Sequence, residues 1–71
     1  MTREEALAKL IEVIDPIDPI EENTVISDCE DIDSLAIFSV VVYLKSIGKS
    51  QSIAELAKCE KVSDFIDLIL A

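Results

Sequence analysis

Histidine is absent from the chain, and the familiar machinery of nucleophilic catalysis is missing with it, because Cys29 and Cys59 have no evident base to activate them. Carboxylates are plentiful, but hydrolysis by a carboxylate pair needs a substrate cleft, and 71 residues build only one small domain with a modest core. An enzyme is therefore not expected. Two thiols without histidine are a poor metal set, and with no secretory signal to imply an oxidising compartment both cysteines are expected to be free. Bases are scarce, six against fifteen acids, for a formal charge of -9. Such a protein repels nucleic-acid phosphates and anionic membrane surfaces and attracts partners with basic patches. Long apolar runs are lacking too. The longest uncharged stretch, Ser34 to Leu44, falls well short of the roughly 20 residues that span a bilayer. Arg3, Glu4, Glu5 and Lys9 interrupt the N-terminus where a signal peptide has its apolar centre. A soluble, cytoplasmic protein is expected. No internal repeat, low-complexity tract or linker divides residues 1–71, which read as one domain, complete from Met1 to Ala71.

What is present is apolar content of 51% with one glycine and two prolines, the composition of a compact helical globule. Thr2 and Glu5 have the form of a capping box, and Leu7, Leu10, Ile11 and Ile14 follow at helical spacing, predicting a first helix that ends near Ile14. Pro16 and Pro19 turn Asp15 and Asp18 away from helical angles, so Asp15 to Asp33 reads as a long irregular connection, tacked to the core by Val25 and Ile26. Ser34 to Ile47 is nearly all apolar and rich in β-branched residues, which suits a buried strand. Asp33 as N-cap, the length of the run and Gly48 at its end favour a helix that buries Phe38, Val41 and Leu44 or the stem of Lys45. Ser52 and Glu55 open a short third helix through Lys58, and Val62, Phe65, Ile66 and Ile69 mark a fourth, with Asp64 and Asp67 on its solvated face.

Within this all-α plan the run Asp28-Cys29-Glu30-Asp31-Ile32-Asp33-Ser34-Leu35 delivers a serine to the first turn of a helix. A phosphoester on Ser34 meets unsatisfied backbone N–H groups and the positive end of the helix dipole, an effect of about 0.3–1 kcal/mol at an exposed site. Neighbouring acids suit the Mg²⁺ that a phosphate-transferring enzyme brings. A calcium loop of Asp28, Glu30, Asp31 and Asp33 is an alternative, but it lacks the glycine and terminal glutamate of an EF-hand.

Asp33-Ser34-Leu35, with its long preceding loop and apolar following helix, resembles the prosthetic-group site of acyl carrier proteins. The segment from Glu55 through Ile69, with Lys58, Val62, Ile66, Asp67 and Ile69 in register, is similar to that family's short third and closing fourth helices. The resemblance covers essentially the whole chain. It implies a small four-helix bundle in which a phosphopantetheinyl transferase, using Mg²⁺, joins 4'-phosphopantetheine from coenzyme A to Ser34, flanked by Asp33 and Leu35. The arm then carries acyl groups as thioesters for fatty-acid, polyketide or related synthesis. Phe38, Val41, Leu56, Ile66 and Ile69 are the candidate lining for the acyl chain.

Two departures from the family pattern stand out. Asp31 occupies the place of a glycine usual three residues before the modified serine. Ala36 and Ser39 stand where the family's second helix carries acids that pair with partner enzymes, and Lys45 and Ser46 also replace common acids. The expected partner surface is instead Leu35, Ala36, Ile37, Ser39, Val42 and Tyr43, which suits dedicated acyl-loading and acyl-processing enzymes. An aminoacyl carrier of the D-alanyl type would use the same serine and arm. A helical interaction domain that is no longer modified would use the apolar second helix alone.

Overall fold

The computed structural model describes all 71 residues and contains four α-helices and no strand: α1 (Arg3–Ile14), α2 (Ser34–Ser46), α3 (Ile53–Leu56) and α4 (Val62–Leu70). A 3-10 turn, Ile26–Asp28, interrupts the long connection before α2. Helix α1 opens on the anticipated capping box, in which Glu5 N–H donates to Thr2 Oγ1 at 3.2 Å and Thr2 N–H donates to Glu5 Oε1 at 3.2 Å. It closes at Asp15, whose φ of 53° is left-handed and whose N–H donates to the Ile11 carbonyl. Aspartate tolerates that conformation better than most residues do, and Pro16 then prevents the helix from resuming. The core face of α1 is Ala6 and Leu10, with Leu7, Val13 and Ile14 half-buried; Ile11, expected in this stripe, is exposed.

Helix α2 is a helix and not a strand, for the reasons its ends supply. Asp33 accepts from Ala36 N–H at 3.0 Å at the start, and Gly48, at φ +83°, turns the chain out at the finish. Its buried residues are Ala36, Val40, Val41 and Leu44. This corrects the expected orientation, since Phe38 stands 53% exposed. At 3.6 residues per turn, position 38 lies nearly opposite position 36, so burying Ala36 against the body of the protein swings Phe38 outward.

The connection between α1 and α2 is irregular yet well tied. Ile20 and Ile32, not Val25 and Ile26, are its buried anchors, while Ile26 packs half-buried beside the core and Val25 is exposed. Val25 instead forms an isolated antiparallel bridge with Lys61. Backbone bonds continue it: Ile26 N–H to the Glu60 carbonyl, Val62 N–H to Thr24 and Ser63 N–H to Glu22. The connection therefore runs against the start of α4.

Helix α3 is shorter than expected, ending at Leu56 and continuing as turns to Cys59. Its one buried side chain, Leu56, joins Val62, Phe65, Ile66 and Ile69 of α4 in the core. The two aspartates of α4 are not merely solvated. Asp64 accepts from Glu60 N–H and Lys61 N–H at 2.8 and 3.1 Å, and Asp67 accepts from Arg3, which also donates to Glu22. Arg3 thus joins α1, the connection and α4, though as an exposed set of ion pairs screened by solvent it adds little to stability.

Two measurements test this architecture. By chemical denaturation, Ile20→Ala should cost about 2–4 kcal/mol, as a core truncation does, whereas Ile17→Ala, three residues away and 90% exposed, should cost under about 0.5. The backbone donors of Glu60 and Lys61 hold the Asp64 carboxyl below its ordinary range. A group whose folded pKa is depressed lends stability above its unfolded pKa and loses it as pH falls through the folded one. Asp64→Asn should therefore remove part of the loss of stability seen on acidification below the ordinary aspartate range.

Candidate functional site

Ser34 is the first residue of α2, and the sequence around it explains its presentation. Ile32 is buried at 6% exposure, Asp33 spends its carboxylate on the helix cap, and Ser34 and Leu35 then emerge into solvent. Ala36 N–H is taken by the Asp33 side chain and Ile37 N–H by the Asp33 carbonyl. The N–H groups of Ser34 and Leu35 are left as the open donors of this helix end. An anion esterified to Ser34 meets these donors and the positive end of the dipole.

Below Ser34 on α2, Phe38, Val41 and Lys45 follow at the i+4, i+7 and i+11 positions, a single helical face. That face runs into a groove of about 400 Å³ closed on its other side by Gln51 and Ile53 at the start of α3. Phe38 and Val41, both named as candidate lining, border this groove. Leu56, Ile66 and Ile69 do not, since all three are packed in the interior core. Gln51 and Ile53 escaped the sequence reading, because Gln51 lies between two helices and the four residues of α3 are too few to show a periodicity. That Phe38, Val41 and Lys45 share a face was legible in the spacing alone.

The expected partner surface is brought together only in part. Leu35 and Val42 are exposed, at 75% and 51%, and Phe38 joins them to form an apolar ridge. Ile37, Ser39 and Tyr43 are half-buried, with Ser39 Oγ donating to the Leu35 carbonyl. Ala36 is a correction: at 7% exposure it faces the core, where a small side chain suits the packing of α2 on its neighbours, and it cannot meet a partner.

The acids of the connection each have separate tasks. Asp31 accepts from Ile17 N–H at 3.2 Å and Asp18 N–H at 3.4 Å, tying the two ends of the loop together. Its φ is not left-handed, so the backbone at this position does not require a glycine. Asp33 caps α2, and Asp28 and Glu30 line a cleft on the connection with Asp18 and Asp31. No three acidic, cysteine or histidine side chains converge closely enough to hold a metal ion.

Cys29 and Cys59 are free. Burial, and secondarily the charge of Asp64, pushes the Cys59 thiol above its ordinary pKa, which holds it protonated and weakly nucleophilic at neutral pH. No helix is long and apolar enough to cross a membrane. Compared with known proteins, the chain matches no family model, no curated protein and no solved structure.

If the Asp33 cap sets the start of α2, Asp33→Ala should lower stability by about 1 kcal/mol in denaturant melts, and Asp33→Ser, which can still accept from Ala36 N–H, should restore most of it.

Proposed function

We propose that the chain is a small acyl carrier, its four helices forming a carrier-type bundle and Ser34 bearing a 4'-phosphopantetheine arm. The observation that supports this most is the joint position of Ser34: exposed, first in α2, beside open backbone donors and on the helical face that also carries Phe38 and Val41 of the groove. These residues suit the group. The Ser34 hydroxyl has room to be phosphorylated, the N–H groups of Ser34 and Leu35 suit the phosphodiester, and the groove below offers a polar rim and an apolar floor.

Attachment forms a bond from Ser34 Oγ to the β-phosphorus of coenzyme A and breaks the pyrophosphate bond. The adenosine bisphosphate leaves, and the hydroxyl proton passes to a base of a phosphopantetheinyl transferase that supplies Mg²⁺. Once attached, the arm supplies a thiol that holds acyl groups as thioesters. The protein's own part is to present Ser34, stabilise the phosphate and offer the arm a resting surface. Chemistry on the cargo belongs to partner enzymes.

Those partners meet a helix without a single acid, α2 having only Lys45 among charged residues. The ridge of Leu35, Phe38 and Val42 replaces the ionic contacts usual in acyl carrier proteins. Dedicated acyl-loading and acyl-processing enzymes with an apolar contact site fit this surface better than enzymes whose docking depends on basic residues alone. The high overall negative charge still favours approach to a basic surround.

Incubation with coenzyme A, Mg²⁺ and a broad-specificity transferase should add the mass of one phosphopantetheine to the wild type and nothing to Ser34→Ala. No gain with several transferases would overturn the carrier reading and assign the ridge to a helical interaction domain that works without modification.

A further inference from the structure

The outward side of α2 can leave water at little cost. Leu35, Phe38 and Val42 stand exposed at the i, i+3 and i+7 positions, the spacing of a coiled-coil seam. Ser39 and Ser46 lie beside that seam, and neither hydroxyl depends on solvent. Ser39 Oγ donates to the Leu35 carbonyl and Ser46 Oγ to the Tyr43 carbonyl. Covering this side therefore strands no hydroxyl proton. Lys45, the one charged residue of the helix, continues the seam at i+10 and stands at its far end.

Charge indicates what covers the ridge. Helices α1, α3 and α4 all carry acids and α2 carries none, while Glu30 and Asp33 stand exposed just ahead of its first residue. The seam thus runs from a negative end to a positive one. A second copy laid antiparallel brings each negative end against the other's Lys45 and pairs the two helix dipoles favourably, whereas a parallel copy sets like against like.

We propose that a second copy of this chain covers the ridge, α2 packing on α2 about a two-fold axis that passes close to Phe38. In that register Leu35 of each copy meets Val42 of the other, the two Phe38 rings meet at the centre, and Lys45 reaches the acids ahead of the other α2. One patch serves both sides, as a two-fold interface requires. Two helices of this length bury less than the roughly 1,000 Å² of a lasting interface, so the dimer is a weak one that yields the ridge to an enzyme with an apolar contact site. The net charge of -9 on each copy opposes association, and salt, by screening it, favours association.

Sedimentation equilibrium of the unmodified protein, carried into the millimolar range, should show a mass rising from one chain towards two, and further at high salt than at low. Phe38→Glu should stay at one chain throughout. Ile17→Glu, which adds the same charge at an exposed apolar position on the connection, should behave as the wild type. In a mixture of isotope-labelled and unlabelled protein, nuclear Overhauser contacts between copies should join Leu35 to Val42 and Phe38 to Phe38. A single chain at every concentration and salt overturns the proposal, as does equal loss of association in both variants. So do dissociation by salt and contacts between copies that join Leu35 to Leu35 or avoid α2. Should Phe38→Glu fail to fold, the wild-type masses and contacts decide alone. None of these measurements involves Ser34, so they decide the dimer whether or not that serine is modified.

Discussion

Ile32 is held in the core two residues ahead of Ser34, and the presentation of α2 follows from that anchor. With Ile32 inside, Asp33 reaches the helix start in an extended conformation that lets its carboxylate meet Ala36 N–H. Ser34 and Leu35 are then carried outward. Such an anchor works only if the connection behind it is itself docked, because an unattached segment of this length would retain too much freedom to hold one side chain in place. Ile20 supplies a second buried point, and the backbone bonds from residues 22–26 to residues 60–63 secure the stretch between them. Asp31 draws its two ends together through Ile17 and Asp18.

Helix α2 serves two environments at once. One side, from Ala36 through Val40 and Val41 to Leu44, belongs to the core; the other exposes Leu35, Phe38 and Val42. A helix this apolar has too much hydrophobic surface for so small a body to cover, and the part left over forms the ridge and one wall of the groove. The same excess therefore links the helix's role in folding to its proposed role in contact with partners. Negative charge is correspondingly displaced to the connection and to the other helices, where several acids accept backbone or arginine N–H groups rather than facing one another. That arrangement turns part of a strongly acidic composition into local structure.

Much of this protein was legible residue by residue. Thr2 with Glu5, Asp33, Ser52 and Gly48 are local signals whose effect depends on a few neighbouring backbone groups, and each acts at the place its spacing indicates. Helix existence, the irregular connection and the placing of Ser34 on a helix's first residue followed from these. So did the shared face of Phe38, Val41 and Lys45, since residues of one face recur at helical intervals whatever the helix packs against. Which face turns inward did not follow. Phe38 and Ala36 exchange their expected places because the packing of α1 and α3 on α2 selects the side, and a run apolar on every side carries no preference of its own.

By itself, the sequence determined the helical composition, the caps and stops, the acidic balance and the identity of the serine at the head of α2, all properties of short stretches or of simple sums. Only the tertiary structure decided that Ile20 and Ile32 anchor the connection, that Asp31 ties it and that Gln51 borders a groove with α2. The division has a physical reason. Capping and turn chemistry act over three or four residues, where sequence order is also spatial order. Burial depends on surfaces that meet across the fold, and which of several apolar faces finds cover is settled by all the elements together.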